Sequence, residues 1–193
     1  MHSDRSCVEK IWQIGLARSG PVFFEQLDLS LMAFRFYRAG IPVTEPDMSQ
    51  RLDYYSASPG AMKAMIGLEA LTSRLSIEPA LLHLIKIRAS QLNGCAFCTD
   101  MHSVDARRLG ETERRLYAVA VWRDSGFFTD RERAALAWTE AVTLLAQSQV
   151  PDDVYAQARA CFSEEELVDL TMAISTINSW NRLAVSFRQR PGD

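Results

Sequence analysis

Helix-start signals recur along this chain, and no stretch between them alternates apolar and polar residues in the manner of a half-buried strand. Ser58-Pro59 offers an N-cap followed by Pro at the first helical position, where the missing N–H costs nothing. The spacing predicts a helix from Pro59 to about Arg74, with Met62, Met65, Ile66 and Leu68 on a mixed face. Pro79 opens a second helix whose Leu81, Leu82, Leu84, Ile85 and Leu92 form a broad apolar stripe. Asn93-Gly94 interrupts it, and a further helix carries Cys95 to Leu109 before Gly110 stops it. Thr112 caps the next, with Leu116, Tyr117, Val119 and Ala120 inward and Gly126 past its end. Thr129 with Glu132 forms a capping box ahead of a helix over Ala134 to Gln147. Pro151-Asp152-Asp153 starts a short helix to about Cys161, and a second capping box, Ser163 with Glu166, opens a long last helix towards Phe187. The predicted fold class is all-α.

The 193 residues suffice for one domain with a sizeable core plus an extension. Residues 1–47 read differently from the rest. They hold two candidate helices, around Cys7–Arg18 and Val22–Ala39, separated by Gly20-Pro21, and then break at Gly40-Ile41-Pro42 and Pro46. The expected organisation is an N-terminal helical extension over 1–47 and a helical domain over 48–193, with Met48 a candidate natural start. A net charge of −3, with bases set among acids as in Arg131-Glu132-Arg133, argues against nucleic acid as a partner. No apolar run approaches the roughly 20 residues of a membrane span. Asp4, Glu9, Glu25 and Asp28 interrupt the amino terminus, so no secretory signal is read there and the expected compartment is the cytoplasm. In a reducing compartment, four cysteines point to catalysis, redox sensing or metal binding rather than to a disulfide scaffold.

The chemistry concentrates in C-A-F-C-T-D-M-H, from Cys95 to His102. On a helix, positions 95, 98 and 102 fall at i, i+3 and i+7, on one face, and Cys98 and His102 form an i, i+4 pair. A free thiol titrates near about 8.5, and the thiolate is the reactive form. A helix amino terminus and a nearby imidazolium both favour that anion. Cys95 lies nearer the helix start and Cys98 nearer the proton acceptor, so spacing tips the balance only slightly to Cys98 as the nucleophile.

Other readings compete. Cys is among the most buried residue types, so the pair could be core filler, as a lone Cys7 or Cys161 would be. Cys95, Cys98, His102 and His83 could instead supply four zinc ligands. Haem attachment needs His directly after the second Cys, where Thr99 stands. His83 lies twelve residues before Cys95, about 18 Å along one unbroken helix. If Asn93-Gly94 folds the chain into a hairpin, residue 83 faces about residue 104 and His83 comes close to His102. Glu140 sits in the apolar run A-L-A-W-T-E-A-V-T-L-L, where an acid needs a partner. Asn181 and Arg182 read as helix-surface polar residues or as hydrogen-bonding groups toward a neighbouring helix or subunit.

From about Arg51 to Arg188 the sequence resembles the alkylhydroperoxidase D-like family, which also contains the carboxymuconolactone decarboxylases. The resemblance is densest in L-L-H-L-I-K-I-R-A-S-Q-L-N-G-C-A-F-C-T-D-M-H and extends to R-R-L-Y-A-V-A-V-W-R, E-R-A-A-L-A-W-T-E-A and I-N-S-W-N-R-L-A. The Cys pair aligns it with the peroxidase-like branch. The resemblance implies an antiparallel helical bundle that assembles as trimers or hexamers. It implies that Cys98 attacks a small hydroperoxide and becomes a sulfenic acid, that Cys95 resolves it to a disulfide, and that His102 relays the proton. It implies no metal or organic cofactor, and a dithiol electron donor such as a lipoyl-bearing or thioredoxin-like protein. Two positions depart from the family's best-known pattern: His83 stands where the relay Glu is expected, and Phe97 where a His lies between the cysteines. The relay charge then falls to His83, Glu140 or another acid. The expected function is a thiol-dependent hydroperoxide reductase or dithiol oxidoreductase. The rivals are a zinc-stabilised helical module without catalysis and a redox sensor whose disulfide controls assembly.

Overall fold

The structure is a computed structural model and describes residues 49–192. The expected helices around Cys7–Arg18 and Val22–Ala39, the extension over 1–47 and the start at Met48 lie outside the described residues. Those described are all helical in their regular structure: α1 Tyr54–Ala57, α2 Pro59–Thr72, α3 Pro79–Leu92, α4 Ala96–Arg108, α5 Glu113–Ala118, a 3₁₀ turn Val119–Val121, α6 Asp130–Thr143, α7 Leu145–Ser148, α8 Asp152–Cys161 and α9 Glu164–Phe187. None of the helices among the described residues is long and apolar enough to cross a membrane.

Capping chemistry sets most of the starts. Thr129 and Glu132 exchange side-chain and backbone bonds in a complete capping box at α6, and Ser163 and Glu166 do the same at α9. Asp53 caps α1, accepting from the N–H groups of Tyr55 and Ser56; this short helix was not apparent in the sequence. Ser58 precedes Pro59 as expected but makes no side-chain cap bond.

Two helices are shorter than their sequence spacing predicts. α5 ends at Ala118 and tightens into the 3₁₀ turn well before Gly126. There the Arg133 guanidinium donates to the carbonyls of Trp122, Arg123 and Ser125, supplying partners that a continued helix would otherwise have to provide. α6 breaks at Leu144, where Ser148 Oγ donates to the Ala141 carbonyl (2.6 Å) and Gln149 and Val150 turn at positive φ to reach Pro151.

α9, 24 residues and about 36 Å long, is the spine of the bundle. Its Leu170, Ala173 and Ile174 are buried in one cluster with Leu84, Ile85 and Ile87 of α3 and Leu136 of α6. Each such large side chain contributes about 1.5–3 kcal/mol on burial. One turn further on, Ile177 and Ala184 of α9 form a second cluster with Ala89, Cys95 and Cys98. The expected mixed face of α2 is only partly inward: Met62 is buried, whereas Ile66 is exposed.

The α3–α4 junction positions the site. Gly94 adopts φ +67°, its N–H bonds the Gln91 carbonyl, and the Cys95 N–H bonds the Ser90 carbonyl. These two bonds make a Schellman cap at the end of α3, which turns the chain back as the hairpin expectation requires. Asn93 Nδ2 then bonds the side chains of Asn178 (2.6 Å) and Asn181 (3.0 Å), pinning the turn to α9. A Cβ at Gly94 would meet no atom within 4 Å, so Gly94→Ala tests backbone conformation alone. The left-handed φ should cost about 1–2 kcal/mol, read as a lower urea midpoint at unchanged slope.

Candidate active site

Cys95 is the N-cap of α4, not part of its first turn, with extended backbone at φ −89°, ψ 96°. Its Sγ accepts the Cys98 backbone N–H at 3.3 Å. A sulfur here does the work that Ser or Asp oxygens do at ordinary N-caps, and a thiolate accepts better than a thiol. Both sulfurs are buried, each residue 2% exposed, and both are free thiols. Hydrogen bonding from Cys98, the thiol more than the N–H, and from Asn181 brings the Cys95 thiol down to about 7 against the cost of burial. Hydrogen bonding with Cys95, then burial and the neighbouring charge, pushes Cys98 far up. The capping position and these bonds favour the negative charge on Cys95 and the proton on Cys98. The sequence spacing sets the helix end at Cys95 against the imidazole at Cys98, and the structure makes Cys95 the cap.

The two sulfurs face different surroundings. Cys98 lines a cavity of about 360 Å³ together with His102 and Asp105 of α4, His83 and Lys86 of α3, Glu69 of α2, Tyr54 and Tyr55 of α1, and Ile177 and Trp180 of α9. Cys95 opens instead toward shallow surface depressions with Ala96 and Thr99 on one side and Val185 and Arg188 on another. The hairpin brings the rings of His83 and His102 to 5.7 Å between centroids. His102 is nearly enclosed, and burial, then the Lys86 charge and His83, hold its imidazole down to about 3. His83 is lowered in the same direction, first by burial and then by Lys86. Both rings are neutral near pH 7, so no imidazolium stabilises a thiolate here. The anion rests on the helix end and its hydrogen bonds instead.

Several of these residues were not singled out in the sequence. Lys86 stands one turn from His83 inside an apolar stripe and is buried, its Nζ bonded to Glu69 Oε1 at 2.5 Å. Glu69 Oε2 in turn accepts from Trp180 Nε1 at 3.1 Å. A lysine flanked by Ile85 and Ile87 was the available signal, since a charge in such a stripe needs a partner. Tyr54 lies in the same cavity, its hydroxyl pushed up to about 12 by burial and by the charges of Tyr55, Cys98 and Cys95. Asn181 is not a surface residue: it is 1% exposed, donates to Ser90 Oγ at 3.0 Å, accepts from Asn93 Nδ2 at 3.0 Å and acts to lower both thiols. Arg182 bonds the Asn178 carbonyl within its own helix (2.8 Å).

Glu140 does not line the cavity and is not among the charges that act on either histidine. It accepts from Arg88 Nε (2.8 Å), Trp122 Nε1 (2.8 Å) and Arg123 Nη1 (2.5 Å), which hold its carboxyl below the usual range against the cost of burial. The acids whose charges reach His83 are Asp105 and Glu69. The four-ligand arrangement of Cys95, Cys98, His102 and His83 is not formed either. Among the described residues, the His/Cys/Asp/Glu group whose ligand atoms all lie within 4.8 Å of one another is His83, His102 and Asp105.

Known proteins share this arrangement of chain. A profile described as the carboxymuconolactone decarboxylase family matches residues 59–141. The uncharacterized protein YdfG of Bacillus subtilis (strain 168) is 46% identical over 143 residues, spanning 74% of this chain and 97% of that protein. The chain belongs to the alkylhydroperoxidase D-like and carboxymuconolactone decarboxylase family. A family structure from Agrobacterium tumefaciens, described as a protein of unknown function and a candidate AhpD antioxidant defence protein, superposes with a TM-score of 0.74. It is 46% identical, with 75% of this chain and 99% of that one covered. An alkylhydroperoxidase AhpD core from Ralstonia eutropha JMP134, an uncharacterized peroxidase-related protein, superposes at 0.65 with 20% identity over 72% of this chain and 74% of that one, a likeness of fold.

Within this family fold, the charge distribution of the dithiol is directly measurable. Because the Cys95 thiol is lowered, its thiolate should grow in as pH rises through about 7 and be lost below it, when followed by ultraviolet thiolate absorbance. Cys95→Ser should remove that transition, and Cys98→Ala should move it upward by deleting the donor to the sulfur.

Proposed function

We propose that the protein is a thiol-dependent hydroperoxide reductase, or a closely related dithiol oxidoreductase, built on the Cys95–Cys98 pair. The observation that carries the reading is the division of labour between the sulfurs. Cys98 lines the cavity with both histidines, while Cys95 sits behind it as the anionic cap. The peroxidase-related description of a protein with the same fold supports the reading.

The reaction begins with the Cys98 proton passing to the neighbouring Cys95 thiolate, whose sulfur caps the Cys98 N–H. This revises the expectation that His102 takes that proton, since an imidazole lowered to about 3 is a weak base. The Cys98 thiolate attacks the hydroxyl-bearing oxygen of the peroxide. The O–O bond breaks, Cys98 becomes a sulfenic acid, and the alkoxide leaves. A neutral imidazole has one N–H and one lone pair, so His102 hands a proton to the leaving oxygen, with His83 beside it to replace the proton. Tyr54, protonated up to about pH 12, is a second O–H donor in the same cavity.

Cys95 gives the proton it took to the histidine pair, restoring the neutral imidazoles, and as a thiolate attacks the Cys98 sulfur; the hydroxide it expels takes one proton from solvent and leaves as water. The sum is one thiol, one thiolate, one hydroperoxide and one proton, giving a disulfide, an alcohol and water. The disulfide then needs two electrons from a dithiol donor, a lipoyl-bearing or thioredoxin-like protein, and the working form is a homo-oligomer, trimer or hexamer. Cys98→Ser should lower hydroperoxide turnover by more than about 100-fold. Cys95→Ser should consume one equivalent of peroxide and stop as a sulfenic acid, seen by mass spectrometry. Full turnover in Cys98→Ser would exchange the two roles.

A further inference from the structure

We propose that His83, His102 and Asp105 form a binding site for a divalent transition-metal ion of the zinc type, open on one side to the cavity. The inference concerns the same cavity as the dithiol chemistry but does not depend on it.

The geometry begins with the hairpin. His102 and Asp105 lie at i, i+3 on α4 and so share a face, and His83 of α3 is folded onto that face. Each of the three offers a ligand atom within 4.8 Å of the other two. Ligand atoms about 2.0–2.2 Å from a common ion lie closer together than this limit, so side-chain rotation of a few tenths of an ångström to about one completes the set. A second, independent observation points to a ligand. His102 is 6% exposed, lines the cavity, and its Nδ1 has no hydrogen-bond partner. The Nδ1 of His83 is buried and without a partner as well. Two orphaned ring nitrogens side by side are costly where, among the described residues, the other buried side-chain polar atoms are satisfied, and each calls for a ligand.

The Asp105 carboxylate favours a cation here, while the Lys86 charge opposes one and is offset by its pairing with Glu69. Asp105 gives one oxygen, Oδ1, to Arg108 at 2.9 Å and has a second to offer. Lys86, the nearby cation, donates to Glu69 and not to either orphaned Nδ1, which leaves those nitrogens open. Two imidazoles and one carboxylate suit Zn²⁺, Fe²⁺ or Co²⁺ better than Ca²⁺ or Mg²⁺, which prefer all-oxygen cages. Three protein ligands beside a cavity leave a coordination position for water or substrate, the arrangement of open rather than structural sites.

Titration of the reduced, chelator-stripped full chain with Zn²⁺, by calorimetry, and with Co²⁺, by visible absorption, tests the proposal. The expected result is one ion per chain, and a Co²⁺ spectrum of nitrogen and oxygen ligation without a sulfur-to-metal charge-transfer band. Loss of outer-shell partners alone costs 10–100-fold in affinity, so His102→Ala and His83→Ala should each lose more than about 100-fold. Asp105→Asn, which keeps the side chain's shape, should weaken binding while circular dichroism confirms the fold. Cys95→Ser and Cys98→Ser should bind unchanged. No binding below millimolar concentration, or a charge-transfer band abolished by Cys98→Ser, would overturn the site. Hydroperoxide turnover of the chelator-stripped protein is read separately, so failure of the metal site and failure of the dithiol reading are distinguishable.

Discussion

One residue closes one helix and opens the next. The Cys95 N–H completes the cap of α3 by bonding the Ser90 carbonyl, while its sulfur caps α4 by accepting the Cys98 N–H. Because both roles fall on a single residue, the two helices cannot separate or slide without losing a cap, and losing a cap costs about 1 kcal/mol. The left-handed Gly94 makes the reversal attainable, and Asn93 ties it to α9. The chemistry of the cavity follows from this junction: the Cys95 sulfur at the helix end, Cys98 one turn on, and the approach of His83 to His102.

The polar groups here are buried at a cost that their mutual bonds offset. Ser90, Asn93, Asn178 and Asn181 form a hydrogen-bonded chain under the dithiol, and Lys86, Glu69 and Trp180 form another across the cavity. Such networks favour one arrangement of the core, because a half-satisfied version is worse than an apolar one. The two histidines break that pattern, since each keeps a buried nitrogen unpartnered. Sites of function are where such exceptions concentrate.

Much of the fold was legible in the sequence because its helix starts are written in short-range chemistry. Thr129 with Glu132 and Ser163 with Glu166 form the boxes they spell, and Asn93-Gly94 turns the chain as its residue types suggest. The ends of α5 and α6 were not legible, because Arg133 and Ser148 stop them through contacts that no local pattern encodes. The approach of His83 to His102 could be reasoned from the hairpin. The environment that neutralises both rings could not, since it depends on Lys86 and on enclosure by other helices. For Asn181 the sequence left two readings, surface or a bond to a neighbouring helix, and its bonds to Ser90 and Asn93 decide for the second. Glu140 was rightly seen to need partners, and it finds them in Arg88, Trp122 and Arg123, away from the thiols.

The central claim is that Cys95 and Cys98 act as one redox unit and that Cys161, half-buried elsewhere, does not. A thiol count with peptide mass mapping, after one equivalent of an organic hydroperoxide, tests it most directly. The expected result is loss of both thiols from the peptide carrying Cys95 and Cys98, joined within one chain, with Cys161 intact. Oxidation confined to Cys161, or a pair still reduced while peroxide disappears, would contradict it.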